Sequence, residues 1–128
     1  MKITRFEDLE IWRLGRDLYK KVFEITSPEP FSKDYKLRDQ IRSSSGSVPD
    51  NIAEGFDRGG NKEFIYFLSI ARGSCGETRS QSYRAYDSKY IDSETLEDLL
   101  ARTSTISAKT INLIKHLKSS DHKGIKYD

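Results

Sequence analysis

Cysteine is nearly absent: Cys75 is the only one in 128 residues, so no disulfide can form within the chain. Histidine is almost as scarce. His116 and His122 stand far from Cys75 in sequence, and no Cys/His spacing resembles a zinc site. Long hydrophobic runs are missing too, since no stretch approaches the ~18 uninterrupted apolar residues needed to span a bilayer. The opening MKITRFEDLEIW has none of the apolar run of a secretory leader, so the expectation is a cytoplasmic protein that makes no use of a membrane. Nor does charge of one sign dominate: 22 Lys and Arg against 20 Asp and Glu leave +2, too little by itself to announce a nucleic-acid-binding protein. What is present is one domain's worth of chain. Its aromatic content of 11% argues against disorder, and its polar, strongly periodic pattern predicts amphipathic helices.

Thr4 followed by Glu7 matches a capping box and predicts the start of a first helix. Leu9, Trp12, Tyr19 and Phe23 form one apolar stripe along it; Ile11, Leu14, Leu18, Val22 and Ile25 form another. Such a helix either lies centrally or carries an oligomer contact beside its core contact. SPEPF, Ser27 to Phe31, ends it. The next segment, SSSGSVPDNIAEGFDRGG from Ser43 to Gly60, has the composition of a linker. Ile41, Val48 and Ile52 nevertheless stay in helical register across it, which predicts a continuous second helix over about 33–56. A bend is expected at Pro49, and Gly55, Gly59 and Gly60 supply the stop.

Asn61 reads as the N-cap of a third helix, with Phe64, Leu68, Ala71, Cys75, Thr78 and Ser82 on its apolar stripe and an end near Asp87. A fourth, of about seven turns, starts behind Asp92 or Ser93 and carries Leu96, Leu99, Leu100, Thr103, Ile106, Thr110, Leu113, Ile114 and Leu117. Four long helices with short connections predict an all-α, antiparallel up-down-up-down four-helix bundle. The expectation is a single domain over 1–118, with 119–128 as a frayed tail. If helices two and three turn back near Arg58 and Gly59, residues whose numbers sum to about 117 lie side by side. Ser43 then sits beside Ser74, Ser44 beside Gly73, and Gly46 beside Ala71, so that small side chains allow close helix packing.

The run QIRSSSGSVPDNIAEGFDRGGNKEFIYFLSIARGSCGE, Gln40 to Glu77, and the opening FEDLEIW, Phe6 to Trp12, resemble a known family. They are similar to the four-helix-bundle proteins named after a reading frame in intervening sequences of bacterial 23S ribosomal RNA genes. The resemblance spans nearly the whole chain and implies a closed homopentamer of bundles. A relative, the accessory variability determinant of diversity-generating retroelements, implies binding of nucleic acid together with a reverse transcriptase. For most of the family the resemblance implies no activity. Two departures stand out. Ser43, Ser44 and Ser45 replace the arginine and alanines usual after the counterpart of Arg42, and Thr78 replaces a common leucine.

Asn51, Glu54 and Arg58 project from one side of helix two, and with Glu77 they form the expected interhelical polar network. Glu54 and Glu77 are separated by ~20 Å of helix, too far for a catalytic pair. Glu63 beside Glu54 lacks a third ligand, and Cys75 lies on the apolar stripe without a base near it in sequence. Gly59 and Gly60 make a turn, not a phosphate loop. The expectation is therefore a protein that is not an enzyme and takes no metal or cofactor. Lys109, Lys115, Lys118 and Lys123 are expected to meet Glu7, Asp8 and Glu10, and Lys20 and Lys21 to meet Glu94, Glu97 and Asp98. Arg38, Arg42, Arg72 and Arg79 survive as candidate phosphate contacts. Each follows a core position, so the two pairs either share the groove between helices two and three or lie on opposite flanks; the alternative is ion pairing with Glu77, Asp39 and Glu63. The expected function is a homo-oligomer that holds RNA or DNA through these arginines, beside a nucleic-acid enzyme. The alternative is an oligomeric protein scaffold that ignores nucleic acid.

Overall fold

A computed structural model describes residues 2–120. Four helices form a bundle: α1 Glu10–Thr26, α2 Tyr35–Asp57, α3 Asn61–Asp87 and α4 Ser93–Ser119. Ser119, expected to open the tail, is the last residue of α4 and Ser120 its cap, while residues 121–128, His122 and Lys123 among them, lie outside the described residues.

Two of the expected helix starts differ. No capping box forms at Thr4; the chain makes a short 3-10 turn over Phe6–Asp8, and α1 begins only at Glu10. This arrangement buries Leu9 and lays Phe6 against Trp12 at 5.1 Å. Burying large apolar side chains stabilises by ~1.5–3 kcal/mol each, more than the ~1 kcal/mol of a cap. Asn61 is the first residue of α3 rather than its cap, a place taken by Gly60. The Asn61 side chain instead donates to Leu117 O at 3.0 Å, satisfying a carbonyl in the last turn of α4. The other two starts are capped by carboxylates. Asp34 accepts from Leu37 N at 3.1 Å and from Tyr90 Oη at 2.9 Å, and Asp92 accepts from Thr95 N at 2.8 Å.

Helix α2 runs unbroken through the serines and Pro49. Gly55 does not end it, but lies buried inside it; the stop is Gly59, whose φ of 95° a side chain would strain. Apolar side chains from all four helices meet in one core, with Leu18, Ile41, Ile52, Leu68, Leu99 and Ile106 at its centre. The stripe of Ile11, Leu18 and Val22 enters it from α1; of the other stripe, Leu9 is buried and Trp12 packs against the core, while Tyr19 is half-buried and Phe23 is 48% exposed.

The α2–α3 register is offset from expectation by about one helical turn. Ser74 meets Ser47, not Ser43, with a hydroxyl–hydroxyl hydrogen bond of 3.0 Å. Ser44 meets Thr78 at 2.8 Å, not Gly73. Ser43 is exposed, Gly46 faces Tyr19 of α1, and Gly73 faces open space. The reason is the lean of helical side chains toward their own N-terminus. In a hairpin this carries α2 side chains away from the turn and α3 side chains toward it, so contacting residue numbers sum higher than the turn alone suggests. The close backbone approach falls at Gly55, where an added Cβ would lie 2.6 Å from Phe67 Cβ, and at Gly15, which fits against Val48 and Pro49.

Candidate nucleic-acid interface

The structure splits the four candidate arginines. Arg42 turns toward the end of α1, and Arg38 toward the connection that follows it. Arg42 lies over the Phe23 ring at 4.4 Å and donates to Thr26 Oγ1 at 2.8 Å. Arg38 lies over Tyr35, pairs with Asp39 at 2.9 Å and donates to Ser32 O. Arg72 and Arg79 turn the other way, toward α4. The two pairs therefore occupy opposite flanks of the α2–α3 hairpin and share no groove.

Arg72 and Arg79 are seven residues apart on α3, ~10.5 Å of helix, and flank the core position of Cys75. Arg72 Nε donates to Ser107 Oγ at 3.2 Å. A single terminal nitrogen of Arg79, Nη1, donates to Leu100 O, Thr103 Oγ1 and Ser104 Oγ at 2.8–3.2 Å. All of these partners are neutral. Among the described residues neither guanidinium has a carboxylate within ion-pair distance, so the expected pairing with Glu63 or Glu77 does not occur.

Between α3 and α4 the two arginines border a groove of about 610 Å³. Gly73 and Gly76 lie along its α3 side, Ser104, Ser107 and Ala108 along its α4 side, and no acidic residue lines it. Its shape is a trough, not an enclosed cavity. Cys75 borders it but is 1% exposed, and its thiol lies 3.3 Å from Thr103 O. Burial pushes the thiol up to about 11, opposed by the positive charges of Arg79 and then Arg72. A thiol so shifted is a poor nucleophile at neutral pH.

The expected polar network is only partly interhelical. Glu54 and Arg58 pair with each other within α2 at 2.7 Å, both exposed. Asn51 donates within α2 to the Ser47 hydroxyl, which in turn joins Ser74, so Asn51 reaches α3 at one remove. Glu77 accepts from Gln81 at 3.3 Å. The buried link across the two helices is one that the residue pattern did not single out. Ser44 donates to Gln81 Oε1 at 2.6 Å and lies 2.8 Å from Thr78 Oγ1. Ser44 and Thr78, two of the four residues at which the sequence departs from the resemblance, are thus hydrogen-bond partners of each other.

Of the expected charge matching between α1 and α4, Lys109 meets Glu10 at 3.2 Å. Lys21 pairs instead with Glu24 in its own helix, and Asp98 with Arg102. Among the described residues no group of three or more His, Cys, Asp or Glu converges on a point, and no helix is long and apolar enough to cross a membrane. A second surface feature lies on the other flank. There Trp12, Tyr19, Gly46 and Pro49 line a hollow of about 380 Å³ with Arg16 and Asp50 at its edge.

A family model described as 23S rRNA-intervening sequence protein matches residues 7–112. No curated protein sequence matches the chain. Among solved structures, the chain is similar to a protein of unknown function from the S23 ribosomal protein family of Bacteroides thetaiotaomicron. The TM-score is 0.75 at 22% identity, over 82% of this chain and 98% of that one. At that identity the likeness speaks for the fold alone.

Proposed function

The chain belongs to the 23S rRNA-intervening sequence protein family, and from that premise we propose that it is a non-enzymatic, cytoplasmic bundle that holds nucleic acid by its phosphates in the α3–α4 groove. Its helices run in antiparallel up-down-up-down order, and copies assemble into a closed homopentamer that serves a larger nucleic-acid enzyme. The observation that carries this reading is the pair of guanidiniums, Arg72 and Arg79, held on neutral oxygens in a groove without a single acidic lining residue. Arg72 keeps both terminal nitrogens, and Arg79 keeps Nε and Nη2, outside any hydrogen bond among the described residues. Planar, uncommitted donors of this kind suit bidentate contact with phosphate. The oligomer is supported by the apolar surface that α1 leaves uncovered, Phe23 beside the half-buried Trp12 and Tyr19.

Fluorescence anisotropy of labelled RNA and DNA tests the site. The expected result is binding that weakens about tenfold or more between ~50 and ~200 mM salt and is abolished by Arg72→Glu with Arg79→Glu. Binding that the double reversal leaves intact would exclude the groove. Light scattering that finds a monomer at micromolar concentration would remove the oligomer. A second reading, an oligomeric protein scaffold, is favoured by the same Trp12, Tyr19 and Phe23 surface. It becomes the account if neither form binds nucleic acid.

A further inference from the structure

Gly73 and Gly76 sit in the middle of α3, where alanine would make a more stable helix. A Cβ at either position would meet nothing within 4 Å. Neither steric conflict within the chain nor positive φ calls for glycine there, in contrast to Gly55 against Phe67 and Gly59 at the turn. What the missing side chains do is lower the α3 wall of the trough between Arg72 and Arg79. Across from them the α4 wall is also low, made of Ser104, Ser107 and Ala108. We infer that this trough receives a single nucleic-acid strand, its backbone laid along the glycine side of α3 and its phosphates at Arg72 and Arg79. The inference rests on the proposed nucleic-acid reading and specifies which form is bound.

Three features select a single strand. A helix with its side chains is ~10–12 Å across, so the furrow between two packed helices is narrower than that; a B-form duplex, whose major groove alone is ~12 Å wide, would rest on the rims without reaching the floor. The trough is open, so a small phosphorylated molecule would keep much of its surface in water, whereas a polymer gains from repeated contacts along the track. Tyr83, four residues after Arg79 and 45% exposed, offers a ring on the same face of α3 for a base turned outward.

The test uses labelled oligouridylate and oligothymidylate of about 12 nucleotides, with RNA and DNA duplexes of the same length, on the full chain. Wild type is expected to bind one or both single strands at least ~10-fold more tightly than the duplexes. Gly73→Leu with Gly76→Leu, which fills the trough and leaves both arginines in place, is expected to weaken that binding ~10-fold or more with the helical circular dichroism unchanged. Tyr83→Ala is expected to weaken it severalfold. Equal or tighter binding of duplex, or full binding by the leucine variant, overturns the inference while leaving the arginine site standing. No binding of any strand by wild type overturns both.

Discussion

On its side toward α2, helix α3 brings Phe67 against the bare Cα of Gly55 and sets Thr78 and Gln81 on Ser44. On its side toward α4 it leaves Gly73 and Gly76 bare beside two arginines that touch only neutral oxygens. Both sides use glycine and serine, and they use them for opposite ends. Toward α2 the absent side chain is replaced by the neighbour, and each buried hydroxyl has a named partner. Toward α4 the absent side chain is replaced by nothing. A small residue in a helix therefore has no meaning until it is known whether the space it frees is occupied.

The sharpest way to break this comparison is to make one substitution on both sides. Gly55→Ala is expected to destabilise the fold by about 2 kcal/mol, because a Cβ 2.6 Å from Phe67 Cβ must displace a packed helix. Urea denaturation reads this directly, and an unchanged midpoint would mean that the α2–α3 contact is looser than the distances say. Ser44→Ala should cost about 1–2 kcal/mol, since it leaves Gln81 Oε1 buried without the hydrogen that Ser44 supplies. On the open side the sign reverses. Gly73→Ala and Gly76→Ala should each stabilise by up to about 1 kcal/mol, the difference in helix propensity with no steric term against it. A loss of stability at either position would show that the trough is closed in solution.

The smallest effect concerns the helix starts on the two sides. The Leu37 backbone N–H and then the Tyr90 hydroxyl hold the Asp34 carboxyl below its ordinary value, and Thr95 does the same for Asp92. Because both folded-state values are lowered, the stability they add is present above the ordinary carboxylate range of ~4 and is lost as pH falls through the lower folded values. Asp34→Asn keeps a capping side chain but removes the titration. It should flatten the fall in melting temperature below about pH 4 more than Asp92→Asn does, because Asp34 accepts a hydrogen bond from Tyr90, distant in sequence, where Asp92 has only the pull of the Lys21 charge as its least cause.

The helices were legible because their signal is local. Apolar spacing carried α2 across SSSGS and Pro49, and Asp92 marked the start of α4. Contacts that depend on how one helix is rotated against another were not legible. The serines could be read as small but not as Ser47 to Ser74 and Ser44 to Thr78, because that register turns on the lean of side chains. The arginines could be read as flanking the core, but the choice between a shared groove and opposite flanks is a property of the pair of helices. Glu54 and Arg58 pair with each other one turn apart, and Arg58 meets α3 through the ring of Phe67 at 5.1 Å rather than through a polar partner. Ser104 and Ser107 were missed altogether. Their only trace is the small residues Ser104, Ser107 and Ala108 on either side of Ile106, on a helix otherwise recognised by its leucines and isoleucines.

Cys75 gives the molecule a built-in timer. Its thiol is sealed beneath the α3–α4 contact and its proton is held tightly, so an alkylating reagent can reach it only when the two helices part. With no other thiol in the chain, the rate of labelling under native conditions counts those openings one by one. A strand lying in the trough would slow the count without touching the sulfur.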